Sequence, residues 1–242
     1  MANRRKSHVV LRAAKRLDQR LHRFFSGRSS PLVNPLCGDR SIEFAFVIEQ
    51  LSPLDRNKSV LDVGCCGSPL TTAIRAMGFQ KVHGIDLMPT PVDFPGIQFF
   101  SGDFLTAAEL NPHYDIVIFC SSIEHFGLGG RYGAQDSNDY DLRALRKATD
   151  LLPAGGSLVL TVPYGVERTI APWHRVYNKE SKLLKQASAN MDLELESFFA
   201  RSAQGPWAPC AEAEAAQVIP TEDSYALGMF RFARPVGGSE KL

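Results

Sequence analysis

The stretch from Ser59 to Thr71, S-V-L-D-V-G-C-C-G-S-P-L-T, constrains the fold of this chain more than any other part of the sequence. It opens with an apolar run typical of a strand that is buried on both faces. Gly64 and Gly67 follow in a turn of small residues, where glycine allows a ligand to approach the backbone closely. Ser68 offers a helix N-cap, and Pro69 suits the first helical position. A strand, a glycine turn and a helix N-terminus in this order predict a nucleotide-binding corner.

The remaining sequence continues the same alternation of strands and helices. Further strands are predicted at 81–86, 97–101, 114–120, 157–162, 193–199 and 227–232, and helices at 40–51, 69–77, 140–152 and 179–189. The run before Cys120 is almost continuously apolar, which is typical of a central parallel strand. Strands that alternate with helices predict an α/β fold in which helices cover both faces of a mostly parallel sheet.

Composition limits the class of protein. A chain of 242 residues with 44% hydrophobic residues suits one domain, alone or with an appendage. Its net charge of +1 gives no overall field that would attract nucleic acid. The five cysteines follow no C-x-x-C pattern, which argues against a zinc site or a disulfide framework and favours a reducing compartment. Because the N-terminus lacks the apolar core of a secretory signal and no apolar run is long enough to span a membrane, we predict a cytoplasmic protein.

Charge is distributed unevenly along the chain, since residues 1–28 alone carry a net +8. Residues 7–25 predict an amphipathic helix with basic residues around its polar face. This helix either packs on the domain through its apolar stripe or binds an anionic surface, phospholipid or RNA. The predicted organisation is therefore a basic helix and linker at 1–38, one domain at 39–235 and a tail at 236–242.

Two motifs indicate which nucleotide the corner binds. A dinucleotide fingerprint reads G-x-G-x-x-G, and its third glycine is missing here. Asp62-Val63-Gly64 instead resembles the first motif, D-x-G-x-G-x-G, of class I S-adenosylmethionine (SAM)-dependent methyltransferases, with Cys66 in place of the second glycine. Residues 152–160, L-P-A-G-G-S-L-V-L, resemble the L-x-P-G-G-x-L-x-h motif of this family with one extra residue. The resemblance covers about residues 40–235.

The resemblance implies a Rossmann-like class I methyltransferase fold with a mostly parallel seven-stranded sheet, an antiparallel last strand and helices on both faces. It also implies SAM as the cofactor. The cofactor-binding residues that it implies are Asp62, Gly64, Cys66, Gly67, Asp86, Leu87, Asp103, Phe104 and Ser121. Asp86 lies 22 residues past Gly64, at the spacing where an acidic residue meets the ribose hydroxyls. In this family, an acid at Asp103 binds the adenine amino group, and the backbone of Phe104 lies nearby.

Candidate catalytic residues follow the fourth strand, where ligands sit in open α/β sheets. A hydroxyl acceptor must lose its proton, which requires a general base or a metal. Glu124, His125 and His174 could supply that base, and Tyr132 lies in a long glycine-rich loop, 126–139, typical of a lid. The stretch E-H-F-G-L-G-G-R-Y-G is also similar to the E-H-F-G-L-G-R-Y-G of a group of bacterial methyltransferase-like proteins.

A metal site is the alternative to base catalysis. Ile123-Glu124-His125 with His174 resembles the metal site of small-RNA 2′-O-methyltransferases, which have a further glutamate where this chain has Ser121. One ligand is therefore absent. We predict no metal ligands and keep Mg²⁺ as the alternative.

These observations predict a SAM-dependent methyltransferase that modifies a hydroxyl of a small-molecule or sugar acceptor, in secondary-metabolite or glycan biosynthesis. Three alternatives remain: an RNA 2′-O-methyltransferase with a degenerate metal site, an NAD-dependent oxidoreductase, and a non-catalytic scaffold with the same fold. Gly64, Gly67, Asp86 and Asp103 argue against the scaffold, because it would not need an intact cofactor corner. The sequence makes no prediction of oligomeric state.

Overall fold

The structure is a computed structural model, and it describes residues 39–65, 69–89, 93–129, 137–201 and 206–237. The chain divides into two compact units, Met1–Gly38 and Asp39–Leu242. The predicted basic helix, its linker and most of the predicted tail lie outside the described residues. The domain boundaries drawn from the sequence therefore stay predictions. All of the described residues belong to the second unit.

The helices of this unit are α1 (Asp39–Leu51), α2 (Pro69–Ala76), α3 (Tyr140–Leu151), α4 (Lys182–Asn190) and the short α5 (Glu212–Ala215). The strands are β1 (Ser59–Val63), β2 (Lys81–Asp86), β3 (Ile97–Ser101), β4 (Ile116–Cys120), β5 (Ser157–Tyr164), β6 (Arg168–Ile170), β7 (His174–Val176), β8 (Asp192–Arg201), β9 (Trp207–Pro209) and β10 (Ala226–Ala233). A single turn of 3₁₀-helix, Ile123–His125, follows β4. Among the described helices, none is both long and apolar enough to cross a bilayer.

Eight strands form the main sheet, in the order β3-β2-β1-β4-β5-β10-β8-β9. Strands β1 to β5 pair in parallel, whereas β10 runs antiparallel to both β5 and β8. The predicted mostly parallel sheet with an antiparallel last strand is confirmed, and the short β9 adds an eighth strand to the seven predicted. The strand order reverses between β1 and β4, and ligands bind beyond the strand ends at such a switch point.

Side chains that alternate along the strands divide the core into two layers. Leu61 of β1 and Val117 of β4 pack on one face, against α3 and α4. Val60 and Ile118, from the same two strands, pack on the opposite face against α1 and α2. Successive residues of a strand point to opposite faces, so strands with this composition require helices on both sides. The predicted placement of helices on both faces of the sheet is confirmed.

Two features near the end of β5 were not predicted. Strands β6 and β7 form a separate antiparallel hairpin, and β7 packs against the 3₁₀ turn that follows β4. Helix α4 begins at Lys182, three residues later than predicted, because Asn178 and Ser181 form a closed turn before it. In that turn the Asn178 amide donates to the Ser181 hydroxyl at 2.7 Å. Short strands and closed turns of this kind have no periodicity that would reveal them in a sequence.

The layered core predicts how stability responds to truncation. Leu61→Ala in β1, at a fully buried site, should lower the free energy of unfolding by about 2–5 kcal/mol because it leaves a cavity. Leu193→Ala is the matched control, since Leu193 of β8 is 42% exposed and should lose less than about 1 kcal/mol. Urea denaturation of both variants measures the difference. Equal losses would contradict the placement of β1 at the centre of the core.

Candidate active site

The turn after β1 lies at the carboxyl edge of the sheet and is shaped by Gly64. This residue has a φ of 79°, a left-handed conformation that favours glycine. Its amide donates to the Ile85 carbonyl at 2.8 Å, which joins the turn to β2. A Cβ at Gly64 would collide with the side chain of Ser122, so both conformation and packing require glycine here. Cys66 and Gly67, the other predicted residues of this turn, lie outside the described residues.

Asp62 supports this turn from inside the protein. Its buried carboxyl accepts a hydrogen bond from the Thr71 hydroxyl at 2.6 Å and thereby links β1 to the first turns of α2. Burial raises the pKa of Asp62 to about 6, while the bond from Thr71 and the nearby Arg40 oppose that rise. The structure thus places this predicted cofactor residue against a helix, where it fixes the position of the turn.

Asp86 ends β2 at the same edge of the sheet. Its carboxylate accepts the Met88 amide at 2.8 Å, and its carbonyl accepts the Gly102 amide at 2.8 Å from the end of β3. Leu87 and Met88 follow, and these apolar side chains are 41% and 47% exposed. An acid beside two exposed apolar side chains offers hydrogen-bond acceptors and an apolar surface together, which is the combination that a nucleoside requires.

Asp103 follows β3 and is held by two donors. The Leu105 amide donates to one carboxylate oxygen at 2.9 Å, and the Tyr140 hydroxyl donates to the other at 3.0 Å. The Phe104 side chain is buried and packs edge-on against Phe119, with 5.8 Å between ring centroids. Phe104 is therefore a core residue whose backbone alone is available for a cofactor. Tyr140 was missed in the sequence, where nothing distinguishes it from other helix-start residues.

The turn after β4 carries the predicted acceptor-side residues. Ser121 has a φ of 42° and is the one non-glycine residue with positive φ in the described part of the chain. The Ser122 hydroxyl donates to the Val63 carbonyl at 2.6 Å and so joins this turn to the end of β1. The 3₁₀ turn then begins, and its closing bond runs from the His125 amide to the Ser122 carbonyl at 3.0 Å.

Glu124 is buried in this turn, with 2% of its surface exposed. One carboxyl oxygen lies 3.5 Å from Nε2 of His125, and the other has no hydrogen-bond partner among the described residues. Burial raises the pKa of Glu124 to about 8, an effect that Glu43 and Asp39 increase and Arg40 opposes. At neutral pH this side chain is therefore mostly a neutral acid.

The tautomer of His125 is fixed by the group that its Nδ1 atom contacts. Its Nδ1 lies 2.6 Å from the backbone carbonyl oxygen of Trp173, in the loop before β7. A carbonyl oxygen only accepts hydrogen bonds, so Nδ1 carries a hydrogen. In the neutral ring the basic lone pair is then on Nε2, the nitrogen beside Glu124.

His174 and Tyr132 were the other predicted catalytic residues. His174 is buried in β7 and contacts the edge of the Tyr225 ring, with 5.2 Å between ring centroids. The Tyr225 hydroxyl donates to Asp39 at 2.6 Å, which links the start of α1 to the residue before β10. Tyr132 lies outside the described residues. In the part of the chain that the structure describes, no group of three or more His, Cys, Asp or Glu residues is arranged to hold a metal ion. The alternative of a Mg²⁺ site is therefore not supported.

Residues that were not predicted from the sequence hold the predicted site residues in place. Arg175 of β7 donates to the carbonyls of Phe126 and Ser137, the two described sides of the glycine-rich loop. It also lies 3.9 Å from the Asp141 carboxylate, which accepts the Tyr177 hydroxyl at 2.9 Å. Arginine is suited to this role because its planar fork donates several hydrogen bonds at once.

On the opposite face, Arg40 and Glu43 of α1 reach the end of β4. Arg40 donates to the Cys120 carbonyl at 2.8 Å, and Glu43 accepts hydrogen bonds from Ser121 and Thr161. The sequence does contain a signal that Glu43 is buried. It is three residues before Phe46 and therefore lies on the apolar side of a predicted helix.

Comparisons with known proteins agree with this geometry. A family model described as a methyltransferase domain matches residues 39–189. The N-methyltransferase NodS from Bradyrhizobium japonicum, solved with S-adenosylhomocysteine (SAH), has a similar structure, with a TM-score of 0.59 and 16% identity over 90% of this chain and 98% of NodS. A Burkholderia thailandensis 1,6-didemethyltoxoflavin N1-methyltransferase has a TM-score of 0.55 and 14% identity over 98% of this chain and 92% of its own. The [4+2]-cyclase SpnF has a TM-score of 0.55 and 15% identity over 80% and 81% of the two chains.

The sheet order and the acids beyond β2 and β3 define a Rossmann-like fold of the class I methyltransferase type, which the solved structures share. The family model covers more than half of the chain, and the chain therefore belongs to the methyltransferase domain family. No curated protein matches the sequence significantly. The predicted class of enzyme is confirmed.

The raised pKa of Glu124 predicts a pH-dependent stability. A carboxyl whose pKa rises from 4.5 to about 8 keeps a proton that the unfolded chain releases, so stability falls as pH rises between these values. Glu124→Gln has nearly the same shape and does not titrate. Relative to the wild type, it should therefore gain about 2–3 kcal/mol of unfolding free energy between pH ~5.5 and ~7.5. Urea unfolding of both proteins at the two pH values measures this, and a pH-independent difference would contradict the assignment.

Proposed function

We propose that this protein transfers a methyl group from SAM to a hydroxyl of a small-molecule or sugar acceptor, in secondary-metabolite or glycan biosynthesis. The observation that carries the proposal is the hydrogen bond from His125 Nδ1 to the Trp173 carbonyl. A hydroxyl must lose its proton on methylation, and this bond leaves the Nε2 lone pair as a general base. The family match supports methyl transfer as the reaction.

The described residues fit SAM. At Gly102, whose amide donates to the Asp86 carbonyl and which precedes Asp103, an added Cβ would meet no atom within 4 Å apart from its chain neighbours, so the backbone is open at this point. In our proposal Asp86 accepts the ribose hydroxyls, while Asp103 and the backbone of Phe104 meet the adenine. Leu87 covers the adenine face. The turns at Gly64 and Ser121 border the rest of the cofactor, and Asp62 supports the first of these turns. The assignment of Cys66 and Gly67 to the cofactor rests on the sequence alone. When bound, SAM supplies a methyl group already activated by its sulfonium.

The protein then has two tasks at the acceptor. The first is alignment, because holding an acceptor in line with an activated methyl group removes much of the barrier. The second is removal of the hydroxyl proton by Nε2 of His125, which the Trp173 carbonyl holds in orientation. Glu124 lies 3.5 Å from the same nitrogen, and a proton shared between them must leave before Nε2 acts as a base. Removal of the acceptor's proton by His125 is therefore favoured as pH rises towards about 8, where Glu124 ionises.

Other parts of the proposal rest on sequence alone. They are a place among the bacterial proteins that share the E-H-F-G-L-G-R-Y-G stretch, a cytoplasmic location, and an auxiliary role for Tyr132 and His174 over the acceptor. A basic N-terminal helix that binds anionic membrane or RNA belongs with them, because it lies outside the described residues. Deleting residues 1–28 and measuring vesicle and RNA binding at increasing salt tests that last part.

Cofactor identity is tested by binding. SAM and SAH should bind in calorimetry while NAD does not. Asp86→Ala should weaken SAH binding by about 1.5–3 kcal/mol, through the loss of charge-assisted bonds to the ribose. Asp93→Ala is the control, because Asp93 is an exposed acid that the proposal assigns no role. Binding of NAD without SAM would overturn the proposal, and unchanged affinity in Asp86→Ala would place the ribose elsewhere.

The base is tested by turnover. Tritiated SAM and a panel of small phenols, sugars and amines would identify an acceptor, and hydroxyl compounds should be methylated. With that acceptor, His125→Ala should lower turnover by about a hundredfold or more, while SAM affinity changes little. His113→Ala, at an exposed histidine, should leave turnover unchanged.

Two results would argue against base catalysis. Near-wild-type turnover in His125→Ala would remove the base and leave alignment as the mechanism. Loss of turnover in EDTA, restored by added Mg²⁺, would favour the metal alternative instead.

A further inference from the structure

The turn that carries the proposed base begins with a strained residue. Ser121 has a φ of 42°, and a non-glycine side chain adopts this left-handed conformation only when the surrounding structure imposes it. Ser121 follows β4 directly and precedes the 3₁₀ turn of Glu124 and His125. Its conformation therefore sets the direction in which that turn leaves the sheet.

Hydrogen bonds from two neighbouring elements hold Ser121. Its amide donates to both oxygens of Thr161 in β5, at 3.1 Å to the carbonyl and 2.9 Å to the hydroxyl. Its hydroxyl donates to Glu43 of α1. Arg40 of the same helix donates to the carbonyls of Cys120 and Ser121 at 2.8 Å and 3.4 Å. Every polar group of Ser121 thus has a partner in α1 or β5.

Glu43 connects these contacts. One of its carboxyl oxygens accepts the hydroxyls of Ser121 and, at 2.6 Å, of Thr161, and the other lies 3.4 Å from Arg40. Its side chain is completely buried. A buried carboxyl is costly to desolvate, and an apolar residue of similar volume often stabilises a fold as well or better. The stability of the fold therefore does not by itself explain a glutamate at this position. The need to hold Ser121 in its left-handed conformation does explain it.

We propose that Glu43 is a positioning residue for the reaction: through Ser121 and Thr161 it holds the turn that places His125. It acts through these two residues and is not assigned any contact with the acceptor. The inference rests on the proposed function in taking His125 as the base. It adds that α1, which lies far from the base in sequence, determines where the base stands.

The experiment compares three variants of the full chain. Glu43→Gln keeps the size of the side chain but sets an amide against Arg40, and Thr161→Val removes the shared hydroxyl without changing any charge. Val47→Ala is the control, because Val47 is fully buried in the same helix and its side chain has no polar group to donate or accept the hydrogen bonds that hold the turn. If Glu43→Gln fails to fold, Thr161→Val and its control keep the test intact.

The first readout is amide hydrogen exchange at His125, whose N–H closes the 3₁₀ turn on Ser122. Relative to the amides of β4, His125 should exchange about tenfold faster or more in Glu43→Gln and in Thr161→Val, because the turn opens locally. In Val47→Ala this ratio should stay at the wild-type value. An unchanged ratio in both test variants would show that Glu43 is merely structural and would overturn the inference.

The second readout is the ring ¹⁵N spectrum of His125, which reports the tautomer. The wild type should show a hydrogen on Nδ1, and both test variants should move towards the mixed tautomers of a free imidazole while Val47→Ala does not. Mixed tautomers already in the wild type would argue against the proposed base. The exchange measurement would still decide the role of Glu43, so the failure of one proposal is distinguishable from the failure of the other.

Discussion

The buried carboxyl of Glu43 is the interaction on which the geometry of the site depends. It lies where α1 meets the end of β4 and the middle of β5, and it accepts the hydroxyls of Ser121 and Thr161 while Arg40 approaches its other oxygen. Burial raises its pKa, and the bonds from these neighbours oppose that rise. A carboxyl in an apolar interior is tolerated only when such donors surround it. The helix, the two strands and the turn are thus held in one arrangement, because a shift of any of them would leave a buried polar group without a partner.

The same edge of the sheet gives neighbouring side chains different chemical properties. Glu124 is shielded from water and has a raised pKa, so it is mostly neutral at pH 7. Asp86 ends β2 and Asp103 follows the neighbouring strand β3, and each carboxylate accepts a backbone amide. His125 is oriented by the Trp173 carbonyl and keeps its lone pair on Nε2. The surroundings of each side chain, more than its residue type, therefore decide its chemistry. Asp86 and Asp103 are suited to accept hydroxyl groups, whereas His125 is suited to proton transfer.

A hairpin outside the main sheet completes this arrangement. Strand β7 supplies Arg175, which donates to carbonyls on both described sides of the glycine-rich loop, and the loop before β7 supplies the Trp173 carbonyl. These contacts come from outside the main sheet. A [4+2]-cyclase and the N-methyltransferase NodS both have folds similar to that of this chain, so the fold alone does not decide the chemistry. The functional proposal therefore rests on His125 and its surroundings and not on the sheet.

Local pattern in the sequence determined the positions of β1 to β5, the glycine turn at Gly64 and the acids at the ends of β2 and β3. These features depend on neighbours within a few residues, through alternation, apolar runs and turn chemistry. Tertiary structure alone decided the burial of Glu124, the tautomer of His125 and the role of Glu43. Glu43 is 78 residues from Ser121 and 118 residues from Thr161, and His125 is 48 residues from Trp173. No local pattern encodes contacts over such separations, because they arise only when the sheet brings the ends of its strands together.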